Sequence, residues 1–357
     1  TRRADRSEQF AGTMNVQDVH KLDEAALASY LQSHVEGYAG PLELRQFKGG
    51  QSNPSYFLVT PNKQYVLRKK PPGKLLPSAH AGDREFKVLN GLYDTGVPVP
   101  RTYCLCEDES IIGTIFYVMD FVDGDIEWDP ALPHFSNDQR FAAFNSMNSA
   151  IAKLHQVDYK AAGLEDLGKP TDYLARQINR WSKQYKASET ESIPEMDKLM
   201  EWLPGNIPSG DETSIVHGDF RLDNTILDRS SKEVIAILDW ELSTLGHPLA
   251  DFSYHCMTWR LEPELFRGLY GLDLKSLGIP TEDEYVKMYC ERTGRSHIEN
   301  WDFYMAYNMF RLSAILQGIM GRVVDGTASS QHAVDMGKRA KPLAKKGWQQ
   351  VELILNT

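Results

Sequence analysis

The sequence predicts an α+β protein of two lobes, a small antiparallel-sheet lobe followed by a larger, mainly helical one. Three observations carry this. Short alternating runs punctuated by Gly and Pro crowd the segment before Gly124. Helical periodicity dominates after it. The length of 357 residues, with 41% hydrophobic and 25% charged side chains, suits two compact units with a sizeable core and excludes disordered or fibrous classes.

The elements follow in order. Residues 1–20 are polar and read as a flexible tail, and the absence of an initiating Met fits a trimmed or fused chain. From Asp23 to Val35, the apolar positions Leu27, Tyr30, Leu31 and Val35 fall on one helical face behind Asp23 as N-cap. Leu42–Phe47, Ser55–Thr60 and Gln64–Arg68 read as strands, separated by Gly49-Gly50 and Pro61-Asn62. A helix over Asp83–Leu92 and strands over Thr102–Cys106 and Ile115–Phe121 complete a first lobe spanning residues 21–120. Residues 121–357 form the second. Helices are expected over Asp138–His155, Tyr173–Tyr185, Pro194–Trp202, Leu249–Arg260, Glu282–Arg292 and Trp301–Val323, with a last one from about His332 to Ile354. Only Ser214–Val216, Thr225–Asp228 and Val234–Leu238 look extended there, the last two as a hairpin.

Composition narrows the function. A balance of 39 Lys+Arg against 49 Asp+Glu, net −10, argues against a nucleic-acid-binding surface. No stretch approaches the roughly 18–20 apolar residues that cross a bilayer, so no membrane partner is expected. Cys104 and Cys106 share one strand face and would bridge only with strain, while Cys256 and Cys290 stand alone. All four read as reduced thiols of a cytoplasmic protein.

The chemistry concentrates in His217-Gly218-Asp219-Phe220-Arg221-Leu222-Asp223-Asn224, with Leu238-Asp239-Trp240-Glu241 further on. An Asp and an Asn five apart on a loop, plus a second Asp at the end of a hairpin, offer what phosphoryl transfer from a nucleotide needs. One carboxylate accepts a hydroxyl proton; an amide oxygen and a second carboxylate hold magnesium. Asp and Asn are also ordinary turn residues, and HGD alone could be a capped turn. The ordered set tips the balance: a glycine pair between the first strands, a basic residue ending the third, a glutamate on the next helix, then the loop and the hairpin Asp.

These residues resemble the aminoglycoside phosphotransferase and choline kinase-like family, whose fold is that of the protein kinases, over about residues 25–330. Tyr65–Leu76 and His217–Asn224 look especially like the branch associated with acyl-CoA dehydrogenases. The resemblance implies a nucleotide-binding first lobe and a second lobe holding the catalytic loop and substrate site. It makes Asp219 the catalytic base and Asn224 and Asp239 the magnesium ligands. ATP is the expected donor, with GTP the other candidate. Gly49, Gly50, Ser52 and Asn53 would cover the triphosphate, although the full GxGxxG pattern is absent. Phe116–Val122, including Met119 and Phe121, would receive the base. Arg221 would stabilise charge on the transferred phosphoryl group, while His217, His155 and Asp251 would brace the loop.

Two departures stand out. Arg68 replaces the family's lysine on the third strand; with Glu85 as partner, its fork can grip phosphate in a different geometry. The other reading of the pair is a structural ion pair. His247, in Gly246-His247-Pro248, stands where the family often has Asp. Walker and HExxH patterns are absent.

Substrate reading rests on charge and resemblance. Residues 251–357 carry thirteen acidic and thirteen basic side chains, so that region lacks the excess of carboxylates a polycationic aminoglycoside would want. Residues 68–87 carry a surplus of four positive charges, either a solvated loop or a patch for coenzyme A phosphates. The expectation is a small-molecule kinase acting on a hydroxyacyl-CoA-type metabolite in functional association with an acyl-CoA dehydrogenase. The alternative is a catalytically inactive nucleotide-binding or scaffolding module.

Overall fold

The structure, a computed structural model, describes residues 12–48, 55–70 and 81–357. The chain divides into two compact units, and neither is a simple sequence half: residues 1–128, 158–167 and 222–243 form the first, residues 129–157, 168–221 and 244–357 the second. Segments 158–167 and 222–243, which a single boundary near residue 120 would assign to the helical lobe, thus group with the sheet.

In the first unit, strands β1 (Thr13–Met14), β2 (Glu43–Phe47), β3 (Tyr56–Val59), β4 (Gln64–Lys69), β5 (Thr102–Cys106) and β6 (Phe116–Asp120) form one sheet in the order β1-β2-β3-β4-β6-β5. All its pairings are antiparallel. The pleat decides what each face does. Tyr65 and Leu67 of β4 and Phe116 and Val118 of β6 join Leu27, Leu31 and Val35 in one buried cluster; the first two come from helix α1 (Glu24–His34), which Asp23 caps through Ala26 N at 3.0 Å. The alternate positions Val66, Arg68, Tyr117 and Met119 therefore occupy the opposite face, paired as Val66↔Met119 and Arg68↔Tyr117. Phe121 joins that face by packing on Phe57 and Phe47, with ring centroids 4.8 and 6.2 Å away.

Helix α2 (Ala81–Leu92) packs on β5 and β6. It is tied down by Arg84, whose Nη2 donates to the Ser243 carbonyl at 2.8 Å and also to that of Leu167, and by Lys87 on Asp166. These contacts correct part of the basic-patch reading: among the positive charges of residues 68–87, Arg68, Arg84 and Lys87 serve contacts within the unit. Lys74 lies outside the described residues.

The second unit is built on helices α3 (Asn137–His155), α4 (Tyr173–Ser188), α5 (Pro194–Trp202), α6 (Pro248–Cys256), α7 (Glu282–Thr293), α8 (Trp301–Val324), α9 (Gln331–Gly337) and α10 (Ala340–Leu355). Residues Phe303–Ala314 of α8 are all buried, as befits a helix apolar on every side; α4, α6, α9 and α10 pack along it. Strand β7 (Ser214–Val216) pairs with β10 (Thr244–Gly246) in this unit, while the hairpin β8 (Thr225–Leu227) and β9 (Val234–Ile237) belongs to the first.

Several expected elements change. The last helix is two, broken after Gly337, where a Cβ would stand 2.8 Å from Met320. The helix expected over Leu249–Arg260 is α-helical only to Cys256 and tightens to a 3-10 turn over Met257–Arg260. Strands β1 and β10 were not expected at all. All four cysteines are free and buried. Among the described residues no helix is long and apolar enough to cross a membrane.

Candidate active site

Candidate residues occur in both units: Arg68, Glu85, Asn224 and Asp239 in the first, Asp219 and Arg221 in the second.

In the first unit, Arg68 Nη1 lies 3.2 Å from Glu85 Oε1, with the Arg68 side chain 33% exposed and that of Glu85 7%. Strand alternation aims Arg68 away from the α1 core, and Lys69, on the other side, stands over the Tyr56 ring at 5.5 Å. Glu85 above all, then Tyr117, Asp239 and Glu241, hold the guanidinium more firmly protonated than usual. Arg68, Glu85, Asp239 and Glu241 thus share one electrostatic neighbourhood. Asn224 closes a 3-10 turn that Thr225 Oγ1 secures by donating to the Leu222 carbonyl at 2.7 Å. The Asn224 carbonyl accepts from Leu238 N at 2.8 Å, which locks the turn to the residue before Asp239. Asp239 has φ +60°, a left-handed conformation that a non-glycine residue keeps only where its surroundings enforce it. Trp240 enforces it here, fully buried and donating Nε1 to the Ile237 carbonyl at 2.8 Å.

An amide oxygen and a carboxylate on a locked turn and hairpin are the donor set of a hard cation that keeps few protein ligands and completes its shell with water and phosphate oxygens. Among the described residues no group of three or more His, Cys, Asp or Glu forms a dedicated cage. The side chains of Asn224 and Asp239 are oxygen donors of the kind magnesium prefers. Met119, buried, and Phe121, half-buried, lie on the Arg68 face. The backbone N–H groups of Asp120 and Phe121 donate to the Arg101 and Gln64 carbonyls at 2.8 and 3.4 Å. Gly49, Gly50, Ser52 and Asn53 lie outside the described residues.

In the second unit the loop after β7 is clamped around one carboxylate. Gly218 has φ +92°. Its N–H donates to Asp251 Oδ1 at 2.9 Å, and its carbonyl accepts from Arg311 Nη2 at 2.8 Å. Asp251, on α6, also accepts from His217 N at 3.0 Å and meets His155 Nε2 at 2.8 Å. Those bonds outweigh burial and keep its carboxyl below the usual range. His155 Nδ1 is 2.7 Å from the Tyr289 hydroxyl, and His217 Nδ1 accepts from Asp219 N at 3.1 Å. Asp251, His155 and His217 thus make a buried brace. His247, the second departure, caps α6 by accepting from Leu249 N at 3.1 Å.

Asp219 is the acid this brace presents. Its side chain is 21% exposed; Tyr254 donates to Oδ1 at 2.6 Å, and Arg221 Nε lies 3.1 Å from the same oxygen. Burial, then the Asp219 charge, raises the Tyr254 pKa, so Tyr254 stays a donor. Tyr254 and Arg311 are the candidate residues that sequence reasoning missed, and Glu241, noted beside Asp239, was given no role. The available signals were a Tyr one helical turn after Asp251, a lone charge inside the apolar run of α8, and an acid two residues beyond Asp239.

Comparison with known proteins agrees. The model of the phosphotransferase enzyme family matches residues 43–304. The mouse acyl-CoA dehydrogenase family member 10 is 47% identical over 343 residues, 94% of this chain and 32% of that protein. The chain thus spans about a third of that relative and under half of the family member 11 relatives. A crystal structure from Ralstonia eutropha, provisionally designated an aminoglycoside phosphotransferase, is 55% identical with a TM-score of 0.88, covering 93% of this chain and 99% of that one. A choline kinase from Cryptosporidium parvum shares the fold at 13% identity, with a TM-score of 0.59 over 94% of this chain and 97% of that one. The family model covers well over half of the chain, and the chain belongs to the phosphotransferase enzyme family, whose members act on hydroxyl groups.

Proposed function

We propose that the protein is an ATP-dependent kinase that transfers the γ-phosphoryl group to the hydroxyl of a small hydroxyacyl-CoA-type metabolite. The observation that carries the chemistry is Asp219, a partly exposed carboxylate held by Tyr254 on a loop that Asp251 of α6 braces. Asp219 accepts the acceptor's proton as its oxygen bonds to the γ-phosphorus and the bond from that phosphorus to the β,γ-bridging oxygen breaks, ADP departing with those electrons. Tyr254 holds Oδ1, and Oδ2, which Arg221 Nη2 meets at 3.4 Å, would take the hydroxyl's proton once that arginine turns to the transferred group. Arg221, resting on Asp219, is placed to turn to the transferred group and offset its charge. Arg68, oriented by Glu85, grips the donor's phosphates. Asn224 and Asp239 would hold magnesium, which supplies neutralising charge to the donor phosphates when bound. The acyl-CoA assignment draws on the similarity to acyl-CoA dehydrogenase family members, as does functional association with such a dehydrogenase.

The test is ADP release across hydroxyacyl-CoAs, aminoglycosides, choline, sugars and small alcohols. Turnover should appear with a hydroxyacyl-CoA, require magnesium, and fall by roughly 10²–10⁴ in Asp219→Asn with nucleotide affinity little changed. Nucleotide binding without turnover on any acceptor would favour an inactive binding module instead.

A further inference from the structure

Arg311 is a cation in a nearly dry place. The residue is 7% exposed, and among the described residues its one hydrogen bond is from Nη2 to the Gly218 carbonyl at 2.8 Å. A guanidinium carries five N–H donors in a planar fork. Two aromatic faces flank it, Tyr254 at 5.1 Å and Trp181 at 5.6 Å from the ring centroids. Cation–π contacts stabilise the charge but leave the donor edge to be filled. Asp219 supports its charge, but no described carboxylate lies within ion-pair distance of it, and a buried cation that lacks a paired anion is costly.

Tyr307, one turn earlier on α8, repeats the pattern. It is 1% exposed, and its hydroxyl has no hydrogen-bond partner among the described residues. Burial holds the proton on this hydroxyl, with Tyr173, Arg311 and Arg180 as its charged or titratable neighbours. Facing α8 is α4, where the exposed Arg180 stands with its guanidinium carbon 5.2 Å from the Trp181 ring centroid. Trp181 thus lies between one exposed and one buried guanidinium. The group adjoins Asp219 directly, since Tyr254 contacts both Arg311 and the Asp219 carboxylate.

The geometry points to an acceptor that carries an anionic group, a carboxylate or a phosphate, as well as the hydroxyl it offers to Asp219: Arg311 and the Tyr307 hydroxyl take the anion, and Arg180 on Trp181 draws it in. This inference rests on the kinase reading and adds the charge of its substrate. A polycationic acceptor meets three guanidiniums here, those of Arg180, Arg221 and Arg311, and is disfavoured. The buried pair supplies orientation through fixed donors, and the exposed Arg180 supplies attraction at a distance.

Binding separates this inference from turnover. With the donor site filled by AMP-PNP and magnesium, titration calorimetry compares 3-hydroxybutyryl-CoA, glycerol 3-phosphate and 4-hydroxybutyrate with the neutral glycerol and 1,4-butanediol and with kanamycin. At least one anionic probe should bind tighter than its neutral counterpart by about tenfold or more. Tyr307→Phe, which removes only an oxygen, and Arg180→Gln, on the surface, should each erase much of that preference without moving nucleotide affinity. The phosphate and carboxylate arms identify the source of the anion. Equal binding of neutral and anionic probes, tighter binding of kanamycin, or an effect of the variants on nucleotide affinity instead would overturn the assignment. Anion binding lost in the variants but without ADP release from any acceptor would keep the anion site and remove the kinase reading. Turnover confined to neutral acceptors would do the reverse.

Discussion

At the scale of single residues, the arginine on β4 is the most informative departure. Arg68 and Glu85 form a half-buried pair on the sheet face opposite the α1 core, where Asp239 and Glu241 add negative potential. In the proposed reading, that surplus of acid faces the Arg68 cation and would face magnesium brought with the nucleotide. A lysine would supply the charge without the fork. Arg68→Lys should therefore keep measurable turnover. Arg68→Ala should lose roughly 10²-fold or more, because Glu85 is then left without its cation and the donor phosphates without an anchor. ADP release on the acceptor found in the screen, with melting temperatures as the folding control, decides. Wild-type turnover in Arg68→Ala would reduce the pair to a structural contact. The sequence allowed Arg68, Glu85, Asp219, Asn224 and Asp239 to be picked out because their order along the chain and their residue types already match the chemistry. It did not single out Tyr254 or Arg311. Their places depend on how α6 and α8 pack, and in α8, buried on nearly every side, apolar periodicity gives no hint of which way a lone arginine faces.

At the scale of elements, the loop between β7 and the turn at Leu222 is shaped by partners distant in sequence. Asp251 accepts the N–H groups of His217 and Gly218 and pairs with His155, while Arg311 holds the Gly218 carbonyl from the opposite side. The backbone of Gly218 is thereby clamped at both its polar groups, and its φ of +92° is one that a side chain would strain. Asp251→Asn turns one acceptor oxygen into a donor facing another donor. The expected cost is about 3 kcal/mol in stability, with a fall in kcat because the loop no longer holds Asp219 in one orientation. Urea midpoints and kcat measured together test this; an unchanged midpoint would show the brace to be dispensable. The same dependence on distant partners explains what was legible of the fold. Strands of four to six residues and helices of three turns or more announce themselves by period, and nearly all appear where expected. Strands β1 and β10, two and three residues long, have no period to read, and exist because β2 and β7 offer them an edge. The break before α10 follows from the close approach of Gly337 to Met320, a tertiary contact.

At the scale of the whole molecule, acid stability should be governed by a histidine that takes no part in the proposed chemistry. His255, on α6, is 4% exposed; its ring lies 4.8 Å from that of Phe220 in the loop that carries Asp219, and Nε2 is 2.6 Å from the Tyr285 hydroxyl on α7. Burial pushes its pKa down from 6.5 to about 4. The sign follows from proton uptake. Between those values the unfolded chain binds a proton that the folded chain refuses, so stability is full above pH 6.5 and falls as pH drops towards 4. The loss reaches about 3 kcal/mol at the lower end, a large share of the 5–15 kcal/mol typical of a folded domain. General charge repulsion works the other way over this range. The net charge of −10 at neutral pH shrinks as histidines and carboxylates take up protons, which relieves self-repulsion in the compact state. A decline in this window is therefore assignable to a group that resists protonation on burial. His255→Phe keeps the ring but cannot titrate. It should be less stable than wild type at pH 7.5, because the Tyr285 hydroxyl loses its partner, and the gap should close by about 2–3 kcal/mol at pH 4.5. Unfolding free energies at the two pH values measure this, and parallel declines in both proteins would show that another group governs acid stability.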